Sequence, residues 1–141
     1  MAHLLHFIVP GVPQGKGRAR FGNGRAYTPA KTVAYEGLIA LAGQQAMEGR
    51  DLLTGPVYMV VNAFFPIPKS WSKKKRHEAQ TTLAWHTGKP DGDNILKAVG
   101  DGLNGVVFKD DSQIAFAKVT KQYDALPRVE IMVEKMNDIG L

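Results

Sequence analysis

The chain has no cysteine. That excludes disulfides and any thiolate-held zinc. Its four histidines are scattered and form no zinc-type cluster. No apolar run approaches the ~20 residues of a membrane span, and the N-terminus lacks a charged stretch followed by an apolar signal core. A soluble, cytoplasmic protein without a membrane partner is therefore expected. Glycine is abundant between Gln14 and Tyr27, but no Gly-Lys-Ser/Thr follows, which excludes a Walker phosphate loop. What remains is 141 residues, 44% hydrophobic and 22% charged, enough for one globular domain over 1–141 with a modest core.

Acidic residues are scarce in the first part of the chain. Residues 1–90 carry 12 Lys/Arg against 4 Asp/Glu, a net of +8, whereas residues 91–141 carry 6 against 9, a net of −3. A basic N-terminal part and an acidic C-terminal part suit DNA-gripping segments around a metal-binding centre. Two basic segments stand out. In the arm 14–27, Lys16, Arg18, Arg20 and Arg25 alternate with glycines and are interleaved with Phe21 and Tyr27. Cations there can contact phosphates, aromatics can stack on unpaired bases, and glycines permit close backbone approach. In the loop 69–89, Lys73, Lys74, Lys75 and Arg76 follow Trp71, and Lys89 closes the segment before the acidic centre. These cations are the candidate DNA contacts.

Periodicity supplies the elements. Leu4 to Val9 alternates as a strand, with Leu5, Phe7 and Val9 on one side. Thr28 as N-cap and Pro29 in the first turn open a helix to about Met47, with Val33, Ala34, Leu38, Leu41 and Ala42 expected inward and Glu36 on the surface. Val57 to Phe65 reads as a buried strand, and Ser72 can cap a short helix. A helix from near Asp93 carries Ile95, Leu96, Val99 and Leu103 as its core stripe. A short strand at Val106 to Phe108, a longer one from Gln113 to Tyr123, and a last strand from Arg128 to Lys135 follow, with the tail from Asn137 frayed. The order β-α-β-α-β-β-β implies an α+β domain: a small mixed sheet with two main helices packed on one face.

The acidic centre spans 89–113: Lys89-Pro90-Asp91-Gly92-Asp93-Asn94-Ile95-Leu96-Lys97, then Asp101 and Asn104, then Asp110-Asp111-Ser112-Gln113. Pro90 biases Lys89 toward an extended backbone, in which Asp91 and Asp93 can converge on one side. Helical spacing aligns Asp93, Lys97, Asp101 and Asn104 opposite the apolar stripe. Carboxylates with a lysine one turn away suit magnesium, which takes oxygen ligands and substrate phosphate, and suit phosphodiester cleavage. The plainer alternatives are a helix N-cap at Asp93 and a polar turn at Asp110-Asp111.

The combination Asp-Gly-Asp-Asn-Ile-Leu-Lys, Asp101-Gly-Leu-Asn104-Gly and Asp110-Asp111-Ser112-Gln113 resembles the signature of the RusA family of Holliday junction resolvases. The resemblance covers most of the chain. It implies a RusA-like fold and a small homodimeric magnesium-dependent endonuclease, with manganese able to substitute, of phage or prophage type, acting on branched DNA in recombination and repair. Carried over position by position, Asp91, Asp93 and Asp111 match the catalytic, metal-binding carboxylates and Lys97 the catalytic lysine. Beside that carry-over, Asp110, Asn94 and Asp101 are candidate assisting residues. Two features depart from the family pattern: the glycines Gly92, Gly100 and Gly102 in the helix region, and a longer segment from Pro66 to Lys89. A DNA-binding module without catalysis and a nuclease for flaps are the competing functions.

Overall fold

A computed structural model describes residues 4–136. Strand β1 (Leu4–Pro10) alternates exposed and buried, with Leu5, Phe7 and Val9 inward. Strands β2 (Arg20–Gly22) and β3 (Arg25–Tyr27) form a separate exposed hairpin, in which Phe21 pairs with Ala26. Its turn is Asn23-Gly24, both at positive φ, as a type I′ hairpin loop requires. Helix α1 (Ala30–Met47) follows, then β4 (Val57–Pro66), α2 (Lys73–Thr81), α3 (Gly92–Leu103), a single 3-10 turn (Asp111–Gln113), β5 (Ile114–Asp124) and β6 (Arg128–Lys135).

The main sheet has the order β1-β6-β4-β5. β6 runs antiparallel to both β1 and β4, whereas β4 and β5 are parallel. A parallel pair needs a crossover, and α2, α3 and the 3-10 turn occupy it. The inward residues of the sheet, such as Val57, Met59, Val61, Ile131 and Val133, pack against Tyr35 and Ile39 of α1 and Ile95, Val99 and Leu103 of α3. The domain is thus α+β, with α1 and α3 on one sheet face. The opposite face leaves Leu4, Ile8 and Phe116 about half exposed.

Several details depart from the sequence expectation. α1 buries Thr32, Tyr35, Ile39, Gly43 and Met47, whereas Val33, Leu38 and Leu41 are about half exposed. The cause is close contact with α3. A Cβ on Gly43 would lie 2.7 Å from Leu103, and one on Gly102 would lie 2.8 Å from Ile39, so small residues define the contact face and bulky ones turn outward. The N-cap is Pro29, one residue later than expected, with no side-chain cap. Val106 to Phe108 forms no strand: Val106 and Val107 donate back to Leu103, and Phe108 makes only isolated bridges. In β5 a register shift at Val57/Tyr58 lets Ile114 join Val119 against the core, although their spacing puts them on opposite faces of a regular strand. The tail from Asn137 lies outside the described residues.

Candidate active site

The acidic centre is built on α3 and the turn that precedes β5. Asp91 is the N-cap of α3, with extended backbone, and its side chain makes no capping bond. Asp93 lies in the first helical turn, where a carboxylate meets the positive end of the helix. The expectation of Asp93 as N-cap is therefore corrected by two residues, and the two carboxylates are not related by strand alternation. Among the described residues neither has a hydrogen-bond or ion-pair partner for its carboxylate.

Further along the helix the charges are engaged. Lys97 lies 3.2 Å from Asp101 and 3.7 Å from Asp111. Asp101 also receives Lys16 at 3.1 Å, and Lys16 reaches Glu36 of α1 at 2.7 Å. Burial pushes the Asp101 carboxyl up, but hydrogen bonds from Lys16 and Lys97 outweigh it and hold its pKa below the ordinary value. Lys97 is held charged, its pKa raised first by the hydrogen bond to Asp101 and then by the charges of Asp101 and Asp111. Lys16 is raised as well, chiefly by its bond to Glu36.

Glycines bring these pieces together. A Cβ on Gly100 would lie 3.4 Å from Asp111, so the turn carrying that carboxylate sits directly on α3. A Cβ on Gly15 would lie 2.9 Å from Pro90 and 3.0 Å from Asn94. The backbone of Lys16 donates to the Asn94 carbonyl, and that of Gly17 to the Thr32 hydroxyl. The start of the arm is therefore strapped across α3 and α1. Lys16 points into the ion-pair cluster, whereas Arg18, Arg20 and Arg25 stand on the exposed hairpin side. Asp110 caps the 3-10 turn: its carboxylate accepts from Ser112 N, and Gln113 Oε1 accepts in return from the Asp110 amide. The Ser112 hydroxyl first, and then its backbone amide, hold the Asp110 pKa below the ordinary carboxylate value. Gln113 Nε2 then donates to the carbonyls of Leu53 and Gly55, which fixes the turn to the loop before β4. Glu36, weighed from sequence as a surface residue or a partner of the site and expected on the surface, is instead part-buried against Lys16; its only sequence signal was its place on a helix face.

Lys73 to Arg76 project from α2, whose N-cap Ser72 accepts from Lys75 N. All four cations are exposed, as is Lys89.

Among the described residues no three Asp, Glu or His side chains gather closely enough to enclose a metal ion. The donor chemistry nevertheless fits magnesium, since Asp91 and Asp93 are exposed oxygen donors with no protein partner. Magnesium is commonly held by one or two carboxylates, retaining waters and taking up substrate phosphate.

The chain is 40% identical over 139 residues, 94% of its own length and 97% of the other's, to a protein of Bacillus subtilis (strain 168) described as the uncharacterized protein YqaN. The family model described as Endodeoxyribonuclease RusA matches residues 10–134, from the end of β1 to near the end of β6 and across the whole acidic centre. A match over nearly the entire chain places it in the RusA endodeoxyribonuclease family.

Proposed function

We propose that this protein is a magnesium-dependent, structure-selective endonuclease that resolves four-way DNA junctions by paired symmetric cuts, in recombination and repair. The observation that carries the proposal is the pair of uncommitted carboxylates at the start of α3, the second of them one turn before Lys97, which is held charged and lies 3.7 Å from Asp111. Asp91, Asp93 and Asp111 are the proposed ligands, and they would have to draw together on the ion, since these carboxylates do not gather around one point in the structure. A bound magnesium ion supplies a more acidic water and neutralises charge that builds on the phosphate. Lys97 is 56% exposed at its side chain, so its ammonium can meet a phosphate oxygen while Asp101 anchors it from behind. That preorganised charge is the kind that lowers a phosphoryl barrier. Asp101, Lys16 and Glu36 position Lys97 and the strap. Asn94 fixes the strap through its carbonyl.

Paired cuts in a two-fold junction call for two copies of the site. Val33, Leu38 and Leu41 on α1, and Leu4, Ile8 and Phe116 on the open sheet face, supply exposed apolar surface of the kind a second copy covers. Arg18, Arg20, Arg25, Lys73 to Arg76 and Lys89 would contact phosphates.

The test is incubation with labelled four-way junction, flap and linear duplex, in magnesium or EDTA. Magnesium-dependent paired nicks in the junction, with duplex intact, are expected. Preferential flap cleavage would move the substrate from junctions to flaps. Tight junction binding without cleavage in either condition would leave a DNA-binding module.

A further inference from the structure

Both tryptophans of the chain lie in the segment between β4 and α3, and both line one cavity. The cavity, about 390 Å³, is bounded by Trp71, Trp85 and Tyr123 with Lys75, Glu78 and Thr87 among its polar neighbours. That volume lies within the ~300–1,000 Å³ range of ligand pockets. Trp71 meets Tyr123 edge-on at 4.8 Å between ring centroids, and the Lys75 ammonium sits 3.9 Å from the Trp71 ring centroid.

This wall is not simply core. Trp85 is 57% exposed, so its indole contributes little to the packed interior. The segment that carries it is nonetheless held in place. His86 N donates to the Lys121 carbonyl and Tyr123 N to the Ala84 carbonyl, both at 2.9 Å, and Lys121 Nζ donates to the Gly88 carbonyl at 2.5 Å. His86 itself stacks on Phe65 at 3.7 Å. An exposed tryptophan on a backbone pinned to the edge of β5 is a preorganised platform, and preorganisation lowers the cost of binding.

The surroundings narrow the occupant. Lys73, Lys74, Lys75 and Arg76 stand exposed on the helix that forms one wall. Aromatic faces beside a cationic track are the combination by which proteins hold unpaired nucleic acid: the bases stack and the cations follow the backbone. In an intact duplex the base faces are covered by their neighbours, so only an unstacked base can enter. The pocket is also near the acidic centre. A Cβ on Gly92, at the start of α3, would lie 2.9 Å from Val119 of β5, and Tyr123 is four residues further along that strand. At ~3.3 Å per strand residue the separation is roughly 13 Å, the length of about four stacked nucleotides at 3.4 Å each.

We propose that the Trp71–Trp85–Tyr123 pocket binds an unstacked DNA base a few nucleotides from the phosphate presented to α3, and so selects branched over continuous duplex DNA. This deepens the nuclease reading and rests on it for the position of the base, but the pocket is tested without cleavage. Tryptophan emission is titrated in EDTA with single-stranded oligothymidylate of roughly 12 nucleotides, and in parallel with duplex of the same length. Single strand is expected to quench the emission strongly and duplex weakly at equal occupancy.

Trp85→Ala, with Trp71 as the remaining reporter, is expected to lose about ten-fold or more in single-strand affinity, to lose little for duplex, and to melt close to wild type. Trp85→Phe keeps a stacking face and is expected to recover most of the loss. Unchanged emission at saturation, or Trp85→Ala binding single strand as wild type does, overturns the pocket even where junction cleavage is intact. Quenching that depends on Trp85 supports the pocket even where no branched DNA is cut, in which case the nuclease reading alone is lost.

Discussion

The two ends of α3 carry charge in opposite ways. At the N-terminal end, Asp91 and Asp93 are exposed and have no carboxylate partners among the described residues. Towards the C-terminal end, Asp101 is 17% exposed and receives two lysines, one of which ties it to Glu36 of the neighbouring helix. Nothing among the described residues neutralises the first pair, although the positive helix end beside it offsets part of the repulsion. The second group joins arm, α1 and α3. One end of the helix therefore leaves charge available for a ligand, and the other uses it to hold the scaffold. Lys97 sits between them, bonded to the scaffold at Asp101 and facing Asp111.

The sharpest way to break this contrast is at the free end. Asp91→Asn and Asp93→Asn each remove a proposed ligand's charge while keeping shape, and junction cleavage is expected to fall about 10²-fold or more, with junction binding kept. Asp93→Asn also loses a favourable helix-end charge, about 0.3–1 kcal/mol, so its melting temperature drops only slightly. Thermal melting alongside single-turnover cleavage checks both. Wild-type rates in either variant would remove that residue from the proposed metal site.

The cationic surface is next in size. Changing Arg18, Arg20 and Arg25 together to Ala is expected to weaken binding to every DNA shape. It should also reduce the slope of log affinity against log salt by up to about 0.9 for each phosphate that is no longer neutralised. An unchanged slope would show that these arginines are only solvated. Lys16→Met, by contrast, should act on stability, because Lys16 is bonded inward.

At the scaffold end, Asp101→Asn should cost about 1–2 kcal/mol by weakening two charge-assisted bonds, a fall of roughly 3–8 °C in Tm. Melting measured from pH 3 to 11 sharpens the assignment. The Asp101 pKa is depressed in the fold, so its contribution is present above the ordinary carboxylate value near ~4 and is lost as pH falls through the lower folded value. Lys16 and Lys97 are raised, so their contributions are complete below ~10.4 and fade as pH rises through the higher folded values. Asp101→Asn is expected to flatten the acid limb. A smaller effect belongs to His86: burial first, and then the Lys121 charge, lower its pKa, so protonation favours the unfolded chain and stability declines below about pH 6.5. His86→Phe should remove that decline.

Strict alternation makes β1, β4 and β6 readable from sequence, because each has one face on the core. The apolar stripe Ile95, Val99 and Leu103 of α3 is readable for the same reason. α1 is not, since it is apolar nearly all round, and its buried side is chosen by small residues that admit α3. The hairpin β2–β3 had a local signal, Asn23-Gly24 between two short runs, but three-residue strands carry too little periodicity to declare themselves. The acidic motif is readable as a set of residue types. Which of its members are free and which are paired is not. Lys16 and Glu36 lie far from Asp101 in sequence, and the three join only in the folded domain.

Lys97 touches both halves of the contrast, so its removal separates them. As an exposed helix pair with Asp101 it is worth only about 0.3–0.5 kcal/mol. As a charge preorganised for the phosphate it is worth on the order of 10²-fold in rate, about 2.7 kcal/mol of barrier. The measurement is single-turnover cleavage of a labelled four-way junction by Lys97→Ala in saturating magnesium, with melting temperature and junction affinity determined on the same protein. A collapse of about 10²-fold or more in rate is expected, with melting within a few degrees of wild type and junction binding retained. A two- or three-fold loss of rate, or a loss that tracks reduced stability, would contradict it and place Lys97 wholly with the scaffold.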